Sequence, residues 1–386
     1  MLNFEFHNPT KIVFGKNTIE KLNTLVPQNA RVLVTYGGGS IKKNGVLDKV
    51  RAALKDRIVG EFGGIEPNPQ FTTLIKAAEV VKAEKVDFLL AVGGGSVMDG
   101  TKFISLAATF NGENKLDLFN YGGVPVEVAP GIPIGTVVTL PATGSESNGG
   151  GVISSERGKL AIFSETSYPK FSILDPEATY SLPKTQVANG VIDTFIHTTE
   201  QYMTFPCEGR FQDRTSEGIL KTLVEIGKFT IDNPTDYDAR ANLVWCATMG
   251  LNGLIGSGVP EDWATHMIGH EITNIFGVDH AKTLACIAPA LWEVRREQKR
   301  AKLLQYAARV WHIVEGSEDE RIDKAIAKTR EFFNSLGVST NLRDHGVTED
   351  RVEEIIEGLK AHGMTSLSED GGITPEVSRE IILKAI

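Results

Sequence analysis

From Arg31 to about Leu174, short and nearly unbroken apolar runs alternate with stretches whose apolar residues recur every three or four positions. Val32-Leu-Val-Thr-Tyr36, Phe88-Leu-Leu-Ala-Val92 and Pro133-Ile-Gly-Thr-Val-Val138 are of the first kind. Such runs read as strands covered on both faces, as in a parallel sheet. Leu74, Ala77, Ala78 and Val81 are of the second kind and predict a helix with one buried stripe. The alternation predicts β-α-β units, whose ligands gather at the carboxyl ends of the strands. After Leu182-Pro183 the strand pattern stops and helical patterns run to the C-terminus. Gln186 to Met203 is one helix, and Ile322 to Leu336 is another, stopped by Gly337. The expectation is an α/β domain with a parallel sheet over residues 1–183 and an all-α domain over residues 184–386. A chain of 386 residues exceeds the roughly 250–300 over which one core usually grows, which agrees with two domains.

Two of the expected strands run into the same tetrapeptide, Gly37-Gly-Gly-Ser40 and Gly93-Gly-Gly-Ser96. Glycines let a backbone turn tightly and approach an anion, and the helix that follows points its positive end there. The second copy continues through Asp99 and Lys102 into a helical pattern, so a pyrophosphate fits it. Neither copy matches G-x-G-x-x-G, the general dinucleotide fingerprint. A third polar cluster, Thr139-Leu-Pro-Ala-Thr-Gly-Ser-Glu146, also follows a strand; by itself it reads equally well as a loop with a helix cap.

The second half carries candidate metal chemistry. Asp193 and His197, at i and i+4, project from one face of a helix. His266, His270 and His280 crowd together in a chain with only eight histidines. Imidazole nitrogens joined by one carboxylate oxygen suit a single divalent Zn²⁺ or Fe²⁺ ion better than Mg²⁺ or Ca²⁺. Buried or capping histidines without a metal are the competing reading. Trp263, Met267 and Ile268 fall in the same stretch and read either as an apolar substrate pocket or as plain core.

Composition narrows the classes. A net charge of −9 excludes a nucleic-acid groove or an anionic membrane as the main partner. No run approaches the roughly 20 apolar residues of a membrane span, and the N-terminus shows no basic start followed by an apolar stretch. Cys207, Cys246 and Cys286 are odd in number and widely spaced, as in a reduced cytoplasmic protein. A cytoplasmic location is expected.

Several motifs together extend these readings: Val13-Phe-Gly-Lys16, Gly64-Ile-Glu-Pro-Asn-Pro69, the Gly93 to Asp99 loop, Thr143-Gly-Ser-Glu146, Leu174-Asp-Pro176 and Gly190-x-x-Asp193-x-x-x-His197. In these the chain resembles the iron-containing (group III) alcohol dehydrogenases, and most of all their NADP-dependent butanol dehydrogenases and broad-range aldehyde reductases. The resemblance implies a Rossmann-like first domain and a helical second domain. It implies metal ligation by Asp193, His197, His266 and His280, with His270 as a non-ligand histidine near the substrate and a candidate proton donor. Cofactor contacts are implied at Asn68, Gly94, Gly95, Ser96, Asp99, Thr139, Leu140, Thr143 and Lys159. Where NAD-dependent members carry an Asp after the first strand, this chain has Gly37, Gly38 and Ser40, with Lys42 and Lys43 nearby. Removing that carboxylate removes repulsion of a 2′-phosphate, so NADP(H) is expected over NAD(H). One departure is Asp279-His280-Ala281, where the family usually has Pro-His-Gly.

The implied activity is reversible reduction of a small aldehyde to a primary alcohol. The alternative is a lyase like the related dehydroquinate synthases, which needs Lys and Arg beside the ion to hold anionic groups. None occurs from His266 to His280. A homodimer is also implied, with Leu2 to Phe14 expected as an edge strand that pairs with a partner subunit.

Overall fold

The computed structural model describes residues 1–119 and 130–386. Its backbone clusters into two compact units. One comprises His7–Leu182 with Pro234–Thr248, and the other comprises Met1–Phe6, Pro183–Asn233 and Met249–Ile386.

The first unit is built on a sheet of six parallel strands, β1 (Lys11–Phe14), β2 (Val32–Thr35), β3 (Ile58–Phe62), β4 (Phe88–Gly93), β5 (Ile134–Val138) and β8 (Phe171–Leu174), in the order β1-β8-β5-β4-β2-β3. Strands β6 (Gly150–Ser155) and β7 (Gly158–Phe163) form a separate antiparallel ribbon. Strand side chains alternate between faces. Leu33, Leu89, Ala91, Ile134 and Val138 pack with the helices Phe71–Ala83 and Gly95–Thr109 on one face. Val32, Val34, Leu90, Val92, Val137 and Ile173 pack with the Val46–Leu54 helix on the other. Both faces are therefore dry, which is why β2, β4 and β5 read as continuous apolar runs. Edge strand β3 is half-buried at every position and lacks such a run.

The expected Leu2 to Phe14 edge segment enters the sheet of its own chain over its last four residues. Only Lys11–Phe14 joins the sheet, beside β8. Pro9 has no N–H to offer a ladder, and the Asn8 amide instead donates to the Ser147 carbonyl at 2.8 Å.

The second unit is helical: Lys184–Glu200, Arg210–Asp232, Ala264–Phe276, His280–Val294, Arg296–Arg309, Glu318–Ser335, Val352–Ala361 and Pro375–Ala385. Ser317 and Glu320 form a reciprocal capping box at the start of Glu318–Ser335, and Gly337 follows that helix with φ 87°. Among the described residues no helix is long and apolar enough to cross a membrane.

Candidate metal centre and dinucleotide cradle

Three helices of the second unit bring four polar side chains to one point. Asp193 and His197 project from Lys184–Glu200, His266 from the first turn of Ala264–Phe276, and His280 opens His280–Val294. Asp193 Oδ1 lies 3.7 Å from His197 Nε2 and 3.6 Å from Nε2 of both His266 and His280. These separations are too long for hydrogen bonds. They suit donors of a shared ion, because atoms about 2.1 Å from a tetrahedral centre stand roughly 3.4 Å apart. Ligand atoms of Asp193, His266 and His280 all lie within 4.8 Å of one another. Asp193 Oδ1 and His266 Nε2 are buried and have no hydrogen-bond partner. Orphaned polar atoms at such a position are costly in an apolar interior and are satisfied by a cation. The donor set thus fits a divalent metal.

Burial alone would push the Asp193 carboxyl up, but the imidazoles of His197, His266 and His280 outweigh it and hold Asp193 well below the usual carboxylate range. Burial likewise disfavours a charged His266. Glu200 and Asp193 overcome that and raise its imidazole to about 9. His270 is buried, with its ring centroid 4.9 Å from His280 and 5.8 Å from His266. The half-buried Trp263 sets its ring edgewise to His266 at 5.7 Å. Ile268 is wholly buried and belongs to the core.

A buried carboxylate that sequence reasoning passed over completes the centre. One oxygen of Glu200 accepts the His266 backbone N–H at 3.0 Å, and the other pairs with His266 Nδ1. An entering ion would displace the proton at Nε2, while Glu200 holds the remaining proton at Nδ1. Asp262 steadies the same helix start by accepting from the Ala264 N–H at 3.0 Å, and the buried Lys299 ammonium holds Asp262 at 2.7 Å. Glu200 stands three residues after His197 on one helix face, a spacing that could have flagged it.

The first unit carries the expected cofactor residues beyond the carboxyl ends of β2, β3, β4 and β5, except Lys159, which lies on β7. The Gly95–Thr109 helix starts directly from β4, with Gly94 as its N-cap. Two glycines there are needed for close approach. A Cβ on Gly94 would lie 2.9 Å from Leu140 Cβ, and one on Gly95 would lie 2.4 Å from Thr143 Cγ2. Thr139 N–H donates to the Gly93 carbonyl at 2.9 Å, so the loops after β4 and β5 interlock. Ser96 is half-buried in the first helical turn. Asp99 is already engaged, its two oxygens accepting from Ser145 Oγ at 2.6 Å and from Val152 N at 2.9 Å. Burial pushes its carboxyl up, with Lys102 opposing.

Asn68 follows β3 with a left-handed φ of 57°, and the next residue, Pro69, accepts from Ser154 N of β6 at 2.9 Å. Lys159 sits on β7 opposite Ser154. On the far side of β4, beyond β2, Gly37 and Gly38 lead through Gly39, with φ 95°, into the helical turn Ser40–Lys43. Lys42 and Lys43 are exposed there, with the Lys42 ammonium 4.9 Å from the Tyr36 ring.

Family models for the iron-containing alcohol dehydrogenases match residues 9–176 and, for the C-terminal part, residues 187–366. The chain belongs to this family. It is 56% identical to the NADPH-dependent aldehyde reductase YqhD of Escherichia coli over 384 residues, which cover 99% of each chain. It is 38% identical to NADP-dependent alcohol dehydrogenase 3 of Entamoeba histolytica, with 92% of each chain covered. Among solved structures, the substrate- and cofactor-free form of the E. coli reductase superposes with a TM-score of 0.93 at 53% identity, covering 100% of both chains. NADH-dependent butanol dehydrogenase A of Thermotoga maritima superposes with a TM-score of 0.93 at 36% identity, covering 100% of this chain and 99% of that one.

Proposed function

We propose that this iron-containing alcohol dehydrogenase family member is an NADPH- and metal-dependent reductase of small aldehydes, which also oxidises the corresponding primary alcohols. The observation that carries the reading is the convergence of three imidazoles on one buried carboxylate oxygen, in a chain so similar to an aldehyde reductase along its whole length. The relatives named above are all alcohol or aldehyde oxidoreductases, which favours this reading over a lyase.

When bound, the divalent ion supplies a Lewis acid for the substrate carbonyl and NADPH supplies the hydride. Asp193, His197, His266 and His280 would hold the ion, and three nitrogens with one oxygen suit Fe²⁺ and Zn²⁺ alike. Glu200 holds one His266 proton at Nδ1, so the proton given up on ion binding is the one at Nε2. His270 is the residue we assign to give a proton to the product oxygen, because its imidazole lies beside His280. Trp263 offers an apolar wall beside His266 that suits a small substrate.

The pyrophosphate would rest on the start of the Gly95–Thr109 helix, cradled by Gly94, Gly95 and Ser96, where the helix dipole favours an anion. Gly37, Gly38 and Ser40, flanked by Lys42 and Lys43, present no carboxylate to a 2′-phosphate. Family membership alone does not decide the nucleotide, since relatives at 35–37% identity bear NADH-dependent names. We also infer a cytoplasmic homodimer. All three cysteines are free thiols, and the exposed side chains of Leu2, Phe4 and Phe6 suit burial against a second copy.

The test is elemental analysis of the purified protein joined to an aldehyde screen with NADPH and NADH. One bound Fe or Zn per chain and faster oxidation of NADPH are expected, with both metal and activity lost in His266→Ala and His280→Ala. Aldehyde reduction by metal-free protein would refute the metal's role, and equal or faster turnover with NADH would refute the nucleotide choice.

A further inference from the structure

Lys102 is a fully buried cation in the first unit that the proposed reaction does not use. It lies three residues after Asp99, on the same face of the Gly95–Thr109 helix. Its ammonium donates to Ser145 Oγ at 2.8 Å, Asn148 Oδ1 at 3.0 Å and the Gly150 carbonyl at 2.6 Å. Its three protons thus meet three acceptors, two in the loop that follows β5 and one at the first residue of β6. Asp99 grips the same loop at Ser145 and the adjoining strand β6 at Val152. Burying an ammonium is expensive, and a chain that only needed to pack this helix would do so with an apolar residue.

The sheet order says which part of the cofactor this loop meets. Strand β4 lies between β2 and β5. With the pyrophosphate at the helix after β4 and the 2′-phosphate at the Gly37–Ser40 loop after β2, the nicotinamide half must extend over the loop after β5. We propose that Lys102 is a positioning residue that latches the Ser145–Gly150 loop to the cofactor helix and so shapes the seat of the nicotinamide. The inference rests on the NADPH reading.

Lys102→Met keeps the stem and removes the three donors. Ser145→Ala removes one hydrogen bond to Lys102 and one to Asp99, with little risk to the fold. Titrations of the metal-loaded protein with NADPH and with 2′-phospho-ADP-ribose, which lacks the nicotinamide, read the effect directly. NADPH binding should weaken at least about tenfold in Lys102→Met, the ratio matching the weakest charge-assisted hydrogen bond, and less but in the same direction in Ser145→Ala. Binding of 2′-phospho-ADP-ribose should change little, and metal content should not change. A loss shared equally by both ligands, or no loss of NADPH binding in either folded variant, overturns the proposal. Should Lys102→Met fail to fold, Ser145→Ala decides by the same comparison. A wild-type chain that binds neither ligand defeats the NADPH reading itself, and the latch with it.

Discussion

Replacing Glu200 with Gln should weaken metal binding about 10- to 100-fold while leaving the fold intact. The magnitude follows from the geometry. Glu200 is buried and offers two oxygens to two donors of one residue, the backbone N–H and the Nδ1–H of His266. Gln has one oxygen. Whichever way its amide turns, one of those donors faces another N–H, and a hydrogen bond to a charged acceptor, worth about 1.5–3 kcal/mol, is lost. At about 1.4 kcal/mol per tenfold in affinity, that is the same one to two decades. If the imidazole answers by moving its proton to Nε2, the nitrogen facing Asp193 becomes a donor and can no longer ligate.

The assay is competition for Zn²⁺ between the metal-stripped protein and a chromophoric chelator, with circular dichroism to confirm folding. Stoichiometry should stay at one ion per chain at saturating metal. The reasoning is refuted if a folded Glu200→Gln protein binds Zn²⁺ as tightly as the wild type, because the ring would then need no partner at Nδ1.

Three further outcomes are expected. Gly95→Ala places a Cβ 2.4 Å from Thr143 Cγ2, so the interlocked loops must part; a loss of about 1–3 kcal/mol in denaturant unfolding and weaker NADPH binding should follow, and unchanged values would mean the loops yield freely. Ser40→Asp restores a carboxylate beside the proposed 2′-phosphate seat; the ratio of kcat/KM for NADPH over NADH should fall at least about tenfold, and an unchanged ratio would place the phosphate elsewhere. Burial lowers the Lys102 ammonium to about 8, with Asp99 and Glu146 opposing the shift. The protonated latch is therefore complete below that pH and loses a donor as pH rises through it, so wild-type NADPH affinity should drop above about pH 8. A profile flat from pH 7 to about 9 would show that the charge is not needed.

What was legible in the sequence followed from burial. Strands β2, β4 and β5 are dry on both faces and announce themselves as apolar runs, whereas β3, half-buried throughout, carries no pattern to find. The clustering of Asp193 with histidines was legible because metal ligation admits few residue types and helical spacing aligns them, as in Asp193 and His197. Apolar pattern could not separate Trp263, which borders the donors, from Ile268, which is core, since both sit in one apolar stretch and only the direction of each side chain distinguishes them.

The groups that escaped sequence reasoning share one construction. Glu200 follows the proposed ligand His197 by three residues, and Lys102 follows Asp99 by three. In each case the motif residue and its neighbour share a helix face, and the second member is a buried charge whose hydrogen bonds reach a different segment: His266 for Glu200, and the Ser145–Gly150 loop for Lys102. A single amphipathic helix has no need of a charge on its buried face, since an apolar side chain there is cheaper. A charged residue one turn beyond a ligand or cofactor residue, on the side turned inward, therefore signals that the functional group is being held from a second element.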